Sequence, residues 1–310
     1  MTETRSFLSV SDLSSSDAEA LIARSGELKA RMKAQRPPQT LKGVTVGLLF
    51  EKPSTRTRTS FEVAAIKLGG DPIYLSANEL QLSRGEPIKD TARILGSYLD
   101  AIVGRVYSHD TLVQLAEHSG RPVVNALSDA EHPTQALSDL FTIMEFRGRL
   151  RDLTMAFIGD GNNVCNSLLL GGALTGLNVT VSCPDGYEPD SSVLGTAKAL
   201  AKKTGAVLAI VRDPKKAVAD ADVVYTDVWV SMGDEKEEKE RLRDFKEYQV
   251  NSELMKAAPK GAVVMHCLPA HRGLEITDDV IEGERSLAWR QGENKLFGAA
   301  ATLEFVAGKG

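Results

Sequence analysis

Twice along the chain, short apolar runs rich in β-branched residues alternate with stretches whose apolar residues recur every three to four positions. The first series reads 44–50 strand, 54–68 helix, 72–75 strand, 87–98 helix, 100–104 strand, 110–119 helix and 122–125 strand. A helix from Pro133 to Arg147 and the polar stretch RGRLRD follow, and then the pattern restarts. LTMAFIGD, NVTVSCP, AVLAIV, ADVVYTD and GAVVMHCLP read as strands, with helices over 164–175 and 191–203. Strands separated by helices are joined by crossovers, so they lie parallel and need helices on both faces of the sheet. The pattern therefore predicts an α/β protein of two doubly wound domains with mostly parallel sheets, joined by interdomain helices. Residues 1–148 form the first domain and 149–291 the second, and a C-terminal helix over 292–310 packs back on the first. A helix over 11–35, with Leu13, Leu21, Ile22, Leu28 and Met32 on its apolar side, precedes the first series and breaks at RPPQTLKG.

A chain of 310 residues is long enough for two domains. A net charge of -5 and a pI near 5.7 argue against a general nucleic-acid binder and leave room for a local cationic pocket. No apolar run approaches the roughly 20 residues that span a bilayer, and MTETRSFLSV lacks the basic segment and apolar core of a secretory signal. Cys165, Cys183 and Cys267 are odd in number and form no C-x-x-C pair, so neither a disulfide framework nor a zinc signature is present. A reduced, cytoplasmic setting fits these features. The run DEKEEKERLRDFKE, with Glu235–Lys239 and Glu237–Arg241 at i,i+4, reads as a solvated helix.

In open α/β sheets, ligands lie at the carboxyl ends of strands. After the first strand stand Ser54, Thr55, Arg56 and Thr57, at the start of a helix for which Ser54 is the N-cap candidate. Free backbone N–H groups and the positive dipole end meet there, which favours an anion. Arg56 and Arg58 point to nearly opposite sides of that helix, so at most one of them faces the anion. Gln81 and Arg84 lie in the polar loop ELQLSRGEP, Arg105 ends the third strand, and His132-Pro133-Thr134-Gln135 opens a helix after the fourth. In the second half, Asn162-Asn163, Asp227 with Ser231-Met232-Gly233, and His266-Cys267-Leu268-Pro269 each follow a strand.

Those blocks, STRTR, LSRGEPIKDTARIL, HPTQALSDL, GDGNNVCNSLL, DVWVSMG and HCLPAHRGLEI, resemble the signature blocks of the ornithine branch of the aspartate/ornithine carbamoyltransferase family. They run in the family's order over nearly the whole chain. STRTR and HPTQ are shared across carbamoyltransferases, and DVWVSMG and HCLP mark the ornithine type. The resemblance implies transfer of the carbamoyl group of carbamoyl phosphate to the side-chain amine of L-ornithine, giving citrulline and phosphate in arginine metabolism. It also implies a carbamoyl-phosphate domain, an ornithine domain, a homotrimer with sites at subunit interfaces, and neither cofactor nor metal. By resemblance, carbamoyl phosphate is held by Ser54, Thr55, Arg56, Thr57, Gln81 of a neighbouring subunit, Arg105, His132, Gln135, Cys267, Leu268 and Lys295. Ornithine is held by Asn163, Asp227, Ser231 and Met232, and the catalytic set is Arg105, His132, Asp227 and Cys267.

The chemistry of the residue types agrees. A guanidinium is a planar, permanently charged fork suited to phosphate oxygens. Donors at a carbonyl oxygen that becomes an oxyanion are worth about 3–4 kcal/mol each. The attacking amine must be neutral, and freeing a lysine-like amine of its proton at pH 7 costs about 4.6 kcal/mol. Asp227 and Cys267 are the groups placed to offset this. A carbamoyl-cysteine intermediate is chemically possible, but the family pattern implies direct transfer. One block departs: Asn294-Lys295-Leu296-Phe297 stands where the family has Asn-Arg-Leu-His, and a lysine keeps the charge but loses the fork. Other readings are a transferase acting on another amine such as putrescine, a carbamoyltransferase-like protein that binds without turnover, and a dehydrogenase suggested by Gly159-x-Gly161 and Asp185. The last lacks its third glycine, since Val164 stands there.

Overall fold

The computed structural model describes residues 5–230 and 235–308, without the side chain at 235. The chain divides into two units, one of residues up to Phe141 together with those from Glu293 onward, the other of Thr142–Gly292. In the first unit α1 (Ser15–Lys33), β1 (Thr45–Phe50), α2 (Thr55–Lys67), β2 (Asp71–Ser76), α3 (Ile88–Tyr98), β3 (Ala101–Arg105), α4 (His109–Ser119) and β4 (Val123–Leu127) lead into α5 (Pro133–Arg147). The strands lie in the order β2-β1-β3-β4, every pair parallel. The interior strand β3 is buried throughout. The edge strand β2 alternates exposed and half-buried over its first four residues and tolerates Pro72, whose missing N–H a central strand could not spare.

The second unit continues with β5 (Thr154–Ile158), α6 (Asn163–Thr175), β6 (Asn178–Ser182), α7 (Ser191–Thr204), β7 (Leu208–Val211), α8 (Pro214–Val218), β8 (Val223–Thr226), α9 (Glu238–Asp244), α10 (Ser252–Ala257), β9 (Val263–His266) and α11 (Asp278–Ile281); α12 (Ala288–Val306) starts at its end and belongs to the first unit from Glu293 onward. Its sheet runs β7-β6-β5-β8-β9, again all parallel. Tyr225 and Phe157 stack at 5.5 Å within this sheet. Among the described residues, no helix is long and apolar enough to cross a membrane.

Three local expectations are corrected. A single helix over 11–35 does not form: a 3-10 turn, Val10–Asp12, is capped by Ser9, and α1 begins afresh at N-cap Ser14. Each cap is closed by an acid three residues on, Asp12 and Asp17, so each start satisfies its own free N–H groups. The last helix begins at Ala288 rather than 292. The short helices α8, α10 and α11 were not anticipated, being too brief to show a helical period.

Helices α3 and α4 meet without clearance at Gly96, buried on α3. A Cβ there would stand 1.9 Å from the Ser119 carbonyl oxygen at the end of α4. Gly96 also accepts a hydrogen bond from Arg121 Nε at 2.9 Å. Gly96→Ala is expected to destabilise the protein by about 1–3 kcal/mol, the range for overpacking. Urea unfolding of the variant against the parent measures this, and an unchanged midpoint would mean that α3 and α4 separate freely.

Candidate active site

In the first unit the site begins where β1 ends. Ser54 is extended and its hydroxyl accepts from Thr57 N–H at 3.2 Å, so α2 starts there with its remaining first-turn N–H groups directed past the strand end. Arg56 is half-buried, whereas Arg58 is exposed, pairs with Glu62 at 2.9 Å and lies over the Tyr74 ring. The two arginines thus face apart. Thr57 is buried, and its hydroxyl accepts from Arg105 Nη1 at 3.5 Å across the β1–β3 neighbour pair.

His132, Gln135 and Lys295 are each at most 5% exposed and touch one another. Lys295 Nζ lies 3.3 Å from His132 Nε2 and donates to Gln135 Oε1, while Gln135 Nε2 donates to Asp139 Oδ1 at 2.8 Å. An ammonium only donates, so the imidazole nitrogen facing it accepts and the ring proton sits on Nδ1. Burial, then the Lys295 and Arg105 cations, hold the His132 pKa well below its ordinary 6.5. The cationic donors of the cluster are therefore Lys295 and Arg105, with a neutral histidine between them. Phe297 is also buried, and Lys29 Nζ lies 5.6 Å from its ring while donating to Asn294 Oδ1 at 2.7 Å. Glu293 Oε2 lies 3.3 Å from the same ammonium, and the aromatic face adds to that acid in keeping the buried cation tolerable.

In the second unit the site gathers at the ends of β5, β8 and β9. Asn162 caps α6 through Oδ1, which accepts from Val164 and Cys165 N–H, and its Nδ2 donates to Asp227 Oδ2 at 2.8 Å. Cys267 Sγ donates to Asp227 Oδ1 at 2.9 Å, and Val228 N–H donates to the same oxygen. Asn163 opens α6, half-buried beside this group. His266 fixes the turn that carries Cys267: Nε2 contacts Glu275 Oε1 at 3.0 Å, and Nδ1 accepts from Leu268 N–H at 2.9 Å. Leu268 has a φ of 60°, a left-handed value that a leucine adopts only when its surroundings impose it. Asp227, His266 and Cys267 bring donor atoms within 4.8 Å of one another. Both His266 nitrogens are already engaged, so a metal would find two donors there, not three.

Ser54, Thr57, Arg105, His132, Gln135 and Lys295 thus lie in the first unit, and Asn163, Asp227, Cys267 and Leu268 in the second, so the residues expected at carbamoyl phosphate are divided between the units. Thr55 is exposed at the first turn of α2. Gln81 is exposed on a 3-10 turn, Gln81–Arg84, and its side chain hydrogen-bonds to none of these residues. Ser231 and Met232 lie outside the described residues, as does the side chain of Glu235 and with it the Glu235–Lys239 pair. Cys165 and Cys183 are buried, with thiols raised by burial, Cys183 to about 11. Residues missed are Asp139, Glu275, Gln291 and Tyr225. Asp139 had a signal, standing one helical turn after Gln135. Gln291 had none, since its bonds to His266 N–H and the Tyr225 hydroxyl join positions distant in sequence.

Gly161 has a packing role. A Cβ on Gly161 would fall 2.2 Å from Pro189 N, so the glycine admits the chain's own backbone rather than a pyrophosphate. Asp185, the other nicotinamide signal, pairs with Arg212 at 2.6 Å.

Comparison with known proteins gives the family. Residues 5–145 match the carbamoyl-P binding domain, and residues 151–306 the Asp/Orn binding domain, of aspartate/ornithine carbamoyltransferase. The chain belongs to that family. It is 51% identical to the ornithine carbamoyltransferase of Methanosarcina mazei over 96% of this chain and 98% of that one. It is 48% identical to that of Archaeoglobus fulgidus over 97% of each. Among solved structures, ornithine carbamoyltransferase from Pyrococcus furiosus matches with a TM-score of 0.95 at 46% identity, covering 98% of this chain and 97% of that chain. The anabolic enzyme from Campylobacter jejuni matches with a TM-score of 0.92 at 39% identity, covering 99% and 100%.

The neutral, buried His132 has a consequence for stability. In the unfolded chain this group returns to a pKa near 6.5, whereas the folded chain binds its proton more weakly. Its contribution is therefore complete above pH 6.5 and is lost as pH falls from there toward the folded value, at up to about 1.4 kcal/mol per pH unit. His132→Asn is expected to flatten this part of the pH dependence between about pH 6.5 and pH 5.5. Urea unfolding of both proteins across that window is the check, and equal losses would assign the titration elsewhere.

Proposed function

We propose that this protein catalyses the ornithine carbamoyltransferase reaction, moving the carbamoyl group of carbamoyl phosphate to the side-chain amine of L-ornithine. The observation that carries this reading is the Cys267–Asp227 contact at 2.9 Å, held by Asn162, in a chain whose relatives are named for that activity. It sets an acid and a thiol at the ends of adjacent strands, as the ammonium and amine of an amino acid require. The phosphate dianion is taken by the α2 start, through Ser54, Thr55, Arg56 and Thr57. Arg105 and Lys295 face the carbonyl oxygen, with His132 against them, and Gln135 receives the carbamoyl NH2. Asn163 and Met232 take the ornithine carboxylate, Asp227 and Ser231 its α-ammonium, and Cys267 the side-chain amine. The neutral amine nitrogen adds to the carbonyl carbon, and the oxyanion is stabilised by the two cations. The C–O bond to phosphate then breaks, phosphate leaves with the electron pair, and the amine's second proton passes to phosphate or water.

The Pyrococcus furiosus relative, 46% identical, is named anabolic. We infer the same direction here, toward citrulline and arginine biosynthesis, in the cytoplasm. A putrescine-specific enzyme would have no use for carboxylate ligands, and a non-catalytic relative no use for the Asp227–Cys267 pair.

Offering ornithine, putrescine and aspartate in parallel with carbamoyl phosphate tests the reading, and product from ornithine alone is the expected result. Arg56→Ala should weaken carbamoyl phosphate about 10- to 100-fold, as loss of a charge-assisted hydrogen bond does. Cys267→Ala should lower turnover and ornithine affinity while sparing carbamoyl phosphate. Calorimetry separates the two, and loss of carbamoyl-phosphate binding in the Cys267 variant would sink the role given to that thiol.

The exposed turn bearing Gln81 supports a closed homotrimer in which Gln81 completes a neighbour's carbamoyl-phosphate site. In such a ring every trimer mixing Gln81→Ala and Arg105→Ala chains holds one junction with both residues intact. Random one-to-one reassembly makes about three quarters of the rings mixed, so roughly a quarter of the parent activity should return. Activity that stays at the level of the separate variants, with mixed trimers seen by mass, would place Gln81 in its own chain's site or in none.

A further inference from the structure

Arg241 lies in the charge run that sequence reads as a solvated helix face, yet its side chain is only 11% exposed. Its Nη1 bonds Asp160 Oδ2 at 2.9 Å, an acid itself 12% exposed, and donates to the Trp229 carbonyl at 3.2 Å. Its Nε meets Glu237 at 3.0 Å, and the guanidinium carbon lies 5.2 Å from the centre of the Tyr187 ring. One side chain thus ties three strand ends of the second unit. Asp160 follows β5, and its carbonyl accepts from Asn162 N–H at 2.8 Å. Trp229 stands two residues after Asp227 and two before Ser231. Tyr187 follows β6, and its carbonyl accepts from Gly161 N–H at 2.9 Å.

We propose that Arg241 is a positioning residue for the amino-acid substrate: it sets the Asp160–Asn163 turn against the Asp227–Trp229 segment, and so fixes where the substrate's α-carboxylate and α-ammonium are received. The proposal rests on the reading of the second unit as the ornithine site. A buried guanidinium engaging an acid, a carbonyl and a ring at once cannot be replaced by a neutral side chain without releasing at least one of those loops. Its partners Asp160, Trp229, Glu237 and Tyr187 all belong to the second unit, so ornithine rather than carbamoyl phosphate should feel its loss.

The test is steady-state kinetics and calorimetry on the whole protein with L-ornithine and carbamoyl phosphate, for the parent, Arg241→Gln, Arg241→Lys and Asp160→Asn. Arg241→Gln should raise the KM for ornithine about tenfold or more, with a smaller change in kcat and a carbamoyl-phosphate Kd within about twofold of the parent. Arg241→Lys, which keeps the charge on Asp160 but loses the fork, should fall between. Should Arg241→Gln fail to fold, Arg241→Lys and Asp160→Asn carry the same expectation more weakly. An unchanged ornithine KM in any folded variant lacking the Asp160–Arg241 pair overturns the proposal. So does a parallel loss for both substrates that tracks the melting temperature, which would make Arg241 a general anchor of α9. A parent protein that neither binds nor carbamoylates ornithine overturns the functional reading, and this proposal with it.

Discussion

Parallel pairing governs the rest of the structure. Every strand pair in both sheets is parallel, so each sheet delivers all its carboxyl ends to one edge. Strand order then decides where along that edge a ligand can settle. In the first sheet the connections diverge between β1 and β3, and in the second between β5 and β8. At such a divergence the adjoining loops turn away to opposite faces and leave a crevice. The residues at those four strand ends are Ser54–Thr57, Arg105, Asn162 and Asp227, and the contacts Arg105–Thr57 and Asn162–Asp227 each span one crevice. The candidate site residues sit where the topology leaves room for a ligand.

Much of this was legible in the sequence because the signals were local. A buried parallel strand is an uninterrupted apolar run, and the helix that follows announces itself by its period and its cap, as Ser54 does for α2. The strands proved shorter than the runs: GD after β5, Asp227 after β8 and CLP after β9 leave the ladder and join the candidate site. What stayed hidden depends on contacts between distant positions. Phe7 joins Val124 through a single bridge with no periodicity around it. The chain His266–Gln291–Tyr225 crosses from strand to helix to strand, and Arg241 looked like one more surface charge. Spacing along a chain cannot reveal which charged side chain the fold turns inward.

The departures at 295 and 297 acquire a physical account. A lysine at 295 is short enough to sit within a cluster with His132 and Gln135, and it meets a histidine whose burial already favours the neutral form. Phe297 offers its face to Lys29, which also bonds Asn294. The cationic character of this region is thus divided between two ammonium groups and the Arg105 guanidinium. Only the last is indifferent to pH across the whole accessible range.

Gly161 has a mechanical meaning as well as a steric one. The backbone of Glu188 and Pro189 rests where its side chain would be, the Tyr187 carbonyl accepts its N–H, and Asp190, next along, caps α7. The N–H of Asp190 donates to Asn166 Oδ1, one turn into α6. The turns after β5 and β6 are thereby laced into a single rim. Asn163 inherits its place partly from the next helix along, and a disturbance at the start of α7 is passed through the Asp190 N–H and the Asn166 amide to the first turn of α6.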